Sequence, residues 1–288
     1  SAIHQIIRRS NRNIGIWTLV GFIVVIAGTA IFSRYLTNFF QGPYEKTGTE
    51  ILAISNIGSE PEYFVNVTGD DSFDTGYSLY EGEKVIASYA ALQFQDRLLL
   101  VKTNDNLERD IQMSYSGQLV NVRSDVQSQV INDIYRDYPD LQGMFLPFMM
   151  ETDGFRTGGY VGLVIGGIIL LLSLYGGYLF LTRSSNHGKH PIMKSLERFG
   201  SADTVSAQID NELKQVDHQQ YNKQLHTTRN WLLSMTKSSL NATRYTDMIW
   251  FYKKITTHRT NFVVTSRDFE VVVLDRYGKE IHVKSNKN

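Results

Sequence analysis

The sequence predicts a two-span α-helical membrane protein, with a mainly-β domain outside the membrane and an α+β domain on the cytoplasmic side. Three observations carry this. Residues 157–182 (TGGYVGLVIGGIILLLSLYGGYLFLT) run without a charge from Arg156 to Arg183. Residues 14–33 form a second uncharged, apolar run. Each is near the 20 or so apolar residues that cross a bilayer. The third observation is a charge division that the formal net charge of zero conceals. Residues 36–157 carry 8 Lys/Arg against 19 Asp/Glu, whereas residues 183–288 carry 17 Lys/Arg against 10 Asp/Glu.

The first 13 residues add Arg8, Arg9 and Arg12 with no acid. Basic flanks stay on the cytoplasmic side. Both termini are therefore expected in the cytoplasm, with residues 36–156 extracytoplasmic. A bacterial inner membrane is the default reading, and a thylakoid or organelle membrane is the alternative. Ile3, Ile6 and Ile7 share one helical face. Residues 1–13 thus read as a lipid-facing basic segment, either an interfacial helix on anionic lipid or a plain positive flank. The run at 14–33 exceeds a usual signal-peptide core, so it reads as a signal anchor despite the small residues Ala27–Ala30.

The outer domain, 45–155, reads as short β-branched and aromatic strands at 51–57, 62–68, 84–92, 97–102, 111–115 and 118–122. Ser116-Gly117 reads as a hairpin turn. From Ser124 the period changes to helical, with Val126, Val130, Ile131, Ile134 and Tyr135 on one face and a capping box from Ser124 to Gln127. The expected architecture is an OB-like barrel, or a small antiparallel sheet, plus one helix. Phe145, Leu146, Phe148, Met149 and Met150 form an apolar cluster before the second span. They read as a docking patch or as a plug for the outer domain.

The cytoplasmic domain, 191–288, reads as helices and then an antiparallel meander. Ile192, Met193, Leu196 and Phe199 give the first helix one apolar face, turned to the inner leaflet or to its own domain. Val205, Ile209, Leu213 and Val216 do the same for a second helix over 203–217. Strands are expected at 230–236, 247–256, 261–266, 269–275 and 279–284, with turns at 266–268 and 276–278.

Chemistry is hard to find. The chain has no cysteine, which excludes disulfides and thiolate metal sites. The outer domain has no histidine, and nucleophile elbows and phosphate loops are absent. His187 and His190 sit in a Gly/Pro linker without a third ligand. Asp70, Asp71 and Asp74 lack EF-hand order, and the Asn104–Asp110 acidic stretch is weaker still. The modest basic excess of the inner domain reads as positive-inside charge, not as a nucleic-acid surface. Both spans lack ionisable side chains, against an ion or proton pathway. The second span does carry Gly158, Gly162 and Gly166, a spacing that lets helix backbones approach closely.

The functional expectation is a non-catalytic accessory or scaffold subunit. It takes no cofactor or metal, and its partners are membrane lipid and other membrane-protein subunits or a second copy. A transmembrane sensor with a ligand-binding outer domain is the second reading. An outer-domain hydrolase is the third.

Overall fold

A computed structural model describes residues 1–104, 107, 112–221, 223–260 and 262–284. The chain opens with α1 (Ala2–Ile31) and α2 (Ser33–Gln41), followed by β1 (Tyr44–Lys46), α3 (Gly48–Leu52) and β2 (Phe64–Thr68). β3 (Asp71–Glu81), β4 (Lys84–Phe94), β5 (Arg97–Thr103) and β6 (Ser114–Asn121) come next. Then come α4 (Ser124–Val126), a π-helical turn at Gln127–Ile131, α5 (Asn132–Asp137), β7 (Phe145–Glu151) and α6 (Phe155–Ser185). The remainder is α7 (Pro191–Leu196), α8 (Ala202–Glu212), β8 (Gln219–Gln220), β9 (Leu225–Thr227), β10 (Trp231–Met235) and β11 (Leu240–Arg244). β12 (Met248–Thr260), β13 (Val263–Asp275) and β14 (Glu280–Lys284) complete it.

α1 and α6 are long and apolar enough to cross a membrane. Their most apolar 18-residue stretches are 0% and 6% buried, so neither is a protein-core helix. The chain divides into two compact units, residues 24–169 and residues 1–23 with 170–288.

In the unit 24–169, seven strands run in the order β1-β2-β6-β7-β5-β4-β3. The pairs β1–β2 and β5–β7 are parallel and the rest antiparallel. The sheet is therefore mixed, with β1 and β3 at its edges; of the two expected architectures, an open sheet stands in place of the OB-like barrel. Strand alternation sorts the side chains onto two faces. Ala90, Leu92, Leu99, Val101, Phe148 and Met150 pack under Ile51, Ile54 and Ile57. Tyr89, Ala91, Leu98, Leu100, Phe145 and Met149 pack against Val126, Val130, Ile131 and Ile134.

Several local expectations are corrected here. Residues 51–57 are not a strand. Thr47 and Glu50 close a capping box that starts α3, and Ile51, Ile54 and Ile57 cover the sheet. Ser116-Gly117 does not turn the chain, because both lie inside β6. A Cβ on Gly117 would meet the Glu151 carbonyl and Met150 at 2.6 Å, so glycine serves close approach of β7 there. Ile111 and most of the acidic stretch at 104–110 lie outside the described residues. Ser124 is not a cap: the N-cap position is Arg123, without a side-chain bond. The Asp71–Asp74 segment belongs to β3.

α2 is fastened to this unit by Asn38, which is fully buried. Its Nδ2 donates to the Arg34 and Pro61 carbonyls at 2.9 and 2.7 Å, and its Oδ1 accepts the Tyr63 and Phe64 amides at 2.9 and 3.0 Å. Every polar atom of the amide is thus satisfied. Arg34 donates to the carbonyls of Ile57, Gly58 and Glu60 and lies over the Tyr63 ring.

In the other unit, β11-β10-β9-β8 form one antiparallel sheet and β12-β13-β14 another. Ile3, Ile6 and Ile7 pack with Ile192, Met193, Leu196, Trp231 and Leu233 in its core. That corrects the interfacial reading of residues 1–13: their apolar face meets protein, and they continue into α1 without a break. Asp210 accepts the Ala2 and Ile3 amides at 2.7 and 3.3 Å and the Ser1 hydroxyl. The two amides are orphan donors of a helix start. Val216 is fully exposed and leaves the expected helix face, because α8 ends at Glu212.

β13 is one strand. Arg267 and Asp268 pair with Thr257 and Thr256 in register, so the expected turn at 266–268 does not form. The turn at 276–278 does: Asp275 accepts the Tyr277 and Lys279 amides at 3.0 and 2.9 Å. Arg198 closes an ion pair with Asp275 at 3.0 Å, bonds the Ala242 carbonyl and lies over Phe199. This links the 3₁₀ turn Glu197–Phe199 after α7 to β11 and β13.

Candidate functional site

The docking-patch residues are buried. Phe145, Leu146, Phe148, Met149 and Met150 are all between 0% and 8% exposed. They form β7, inserted between β5 and β6, and supply both cores. No exposed surface is left for a partner, which corrects that reading. The register slips between Leu98 and Leu100 of β5, where Pro147 interrupts β7.

The glycines divide into two sets. A Cβ on Gly159 would overlap the Phe39 ring, one on Gly176 would meet the Thr18 hydroxyl at 2.5 Å, and one on Gly15 would meet Phe180 at 3.0 Å. Gly162 and Gly166 face open space, and Gly158 has only the Tyr35 hydroxyl at 3.4 Å. The predicted ridge is therefore not the surface on which the helices meet. Arg8, Arg9 and Arg12 are exposed.

The hairpin β12–β13 presents a surface that the strand pattern alone does not mark. Ile249, Trp250, Phe251, Ile255 and Val263 are exposed along it, with Phe251 at 77%. Phe262 at its tip has a φ of 65° and is 99% exposed. β12 is an edge strand of its sheet, so its outer side has no strand paired to it among the described residues and its backbone groups there can pair. The signal was legible as WFYKKI, in which aromatic and basic residues do not alternate in the way of a half-buried strand.

Titratable groups are mostly committed to structure. Glu212 is disfavoured as an anion by burial. Bonds from the Asn230 side chain, Thr228, the Asn230 amide and Gln208 outweigh that and hold its pKa below the ordinary range. His218 and His226 stack with Nε2 and Nδ1 3.0 Å apart, and burial followed by the His218 charge lowers the His226 pKa. His258 meets Asp268 at 3.0 Å, and His282 bridges Glu270 and Glu280 at 3.1 Å each. Asp70 and Asp74 accept the Gln95 and Gly76 amides at 2.9 Å. Among the described residues no group of three or more His, Cys, Asp or Glu is placed to hold a metal.

Clefts open in the unit 24–169 among the described residues. One, of about 400 Å³, is lined by Pro43, Phe64, Asp153, Phe155 and Arg156 among others. Another, of about 250 Å³, contains Glu151 and Asp153. Glu151 is paired with Lys102 at 3.8 Å, and Asp153 accepts the Asn104 amide at 3.2 Å and the Thr152 hydroxyl at 3.1 Å. Glu151 is thus occupied in pairing the ends of β5 and β7, and Asp153 in holding the segments that follow them. No protein-family model, curated protein or solved structure matches this chain.

Proposed function

We propose that the chain is a membrane-anchored accessory or scaffold protein that binds other subunits of a membrane assembly. α1 and α6 anchor it as two spans. The basic ends lie on the cytoplasmic side and residues 36–156 outside, as the charge division directs.

The observation that carries protein binding is the hairpin β12–β13. Its strands are 13 residues each. Trp250, Phe251, Ile255 and Val263 lie open on it, alongside a free strand edge. Covering one large apolar side chain contributes about 1.5–3 kcal/mol, and an extended segment added to an edge gains backbone bonds as well. Lys253 and Lys254 sit among these residues, which favours a partner segment with acidic flanks.

The test is gentle solubilisation of native membranes followed by sizing. The wild-type chain is expected in a complex larger than its own 32.9 kDa plus detergent. The double variant Trp250→Ser, Phe251→Ser is expected to stay in the membrane and leave that complex. A wild-type chain that emerges as a monomer with nothing bound sinks the reading.

A further inference from the structure

A cavity of about 230 Å³ lies beside the C-terminal end of α6. It gathers residues that are distant in sequence: Ser10, Arg183, His190, Ser238, Asn241 and Lys279 all line it. No acidic residue does. Arg183 and Lys279 close no ion pair with a carboxylate among the described residues. The carboxylate that favours the Lys279 charge, Asp275, is already engaged by Arg198 at 3.0 Å. Burial and then the Arg198 charge hold the Lys279 pKa below its usual value. Two cations around one hollow repel each other, and an anion between them removes that repulsion.

His190 supplies an independent observation. It is 2% exposed, and its Nδ1 accepts the Ile192 amide at 3.2 Å. A neutral ring with Nδ1 accepting carries its proton on Nε2. That Nε2 is buried and has no hydrogen-bond partner. A buried donor left unpaired costs about 1–3 kcal/mol, and an acceptor oxygen in the cavity that His190 lines would recover it once the ring shifts to bring Nε2 to the cavity wall.

We propose that this cavity binds the phosphate group of an anionic membrane lipid, with Arg183 and Lys279 as its charge partners and the His190 Nε2–H as a neutral donor. The phosphate chemistry rests on the cavity alone. The lipid source rests on the membrane reading. Arg183 is the first charge after the uncharged run 157–182, and Ser10 lies within one turn of the uncharged run 13–33. A phosphate there sits at headgroup depth, where lysine and arginine meet anionic lipid.

The experiment uses the full chain, stripped of lipid in a neutral maltoside detergent. It is titrated separately with dihexanoyl phosphatidylglycerol and with inorganic phosphate. The readouts are the ¹⁵N signal of His190 and the thermal midpoint. Saturable binding of the phosphatidylglycerol is expected, weakened at least tenfold in the double variant Arg183→Gln, Lys279→Gln. The charge-matched variant Lys214→Gln, Arg229→Gln, at exposed positions outside the cavity, is expected to titrate like wild type. Circular dichroism checks that each variant is folded. No saturable response to either probe, or equal response in the Arg183/Lys279 variant, overturns the site. Inorganic phosphate binding at least as tightly as the lipid overturns the lipid source. Release of the chain from membranes by alkaline carbonate would sink the membrane reading, while the inorganic phosphate titration would still test the cavity.

Discussion

His190 shows how a single side chain can be legible in kind and not in role. Sequence spacing pairs it with His187 as a weak metal candidate. In the fold it starts α7, and its ring is buried. Burial first, then the charges of Arg183 and His187, push its pKa down to about 4 from 6.5. The folded state therefore binds fewer protons than the unfolded chain between these values. The stability it contributes is complete above about pH 6.5 and is lost as pH falls toward 4. At ~1.4 kcal/mol per pKa unit this amounts to up to about 3 kcal/mol. Thermal unfolding of the lipid-free chain from pH 7 to 4 should show that loss, and the His190→Asn variant should show less of it. An equal acid response in both would assign the loss to other groups. Asn38 is the opposite case. Nothing in its neighbourhood marks it as buried, because the four groups it bonds come together only when α2 meets the loop before β2.

At the scale of elements, periodicity found most helices and strands but misjudged boundaries that depend on distant partners. The run FLPFMM reads as a patch because Pro147 argues against a central strand. It becomes one because β5 and β6 leave a place between them and a bulge accommodates the proline. The α3 start is legible, since Thr47 to Glu50 has capping-box spacing, but the β-branched isoleucines that follow carry a strand pattern. The glycines make the same point. Their four-residue spacing marks Gly158, Gly162 and Gly166, yet the tight contact falls one position away, at Gly159 against Phe39. Gly159→Leu should destabilise the unit 24–169 by roughly 1–3 kcal/mol, as overpacking does, measured by circular dichroism and limited proteolysis. Gly162→Leu with Gly166→Leu should leave the fold unchanged, because both positions face open space. If that open face also holds a neighbouring span, the second variant elutes as a smaller complex. An unchanged complex would make the face lipid-exposed only.

For the whole molecule, the charge division and the two apolar helices make one orientation testable, and the absence of cysteine makes the test clean. Tyr80 in β3 and Val216 after α8 are both exposed, one in each compact unit. Single variants Tyr80→Cys and Val216→Cys each give the chain one thiol. With the basic ends inside, an impermeant maleimide should label the Tyr80→Cys variant in intact cells. It should label the Val216→Cys variant only after the membrane is opened. The reverse pattern would invert the orientation and place the 19 acidic residues of 36–157 on the cytoplasmic side, against the charge rule. Labelling of both in intact cells would remove one of the two crossings. In either case the hairpin β12–β13 would face a different compartment, and the search for its partner would move with it.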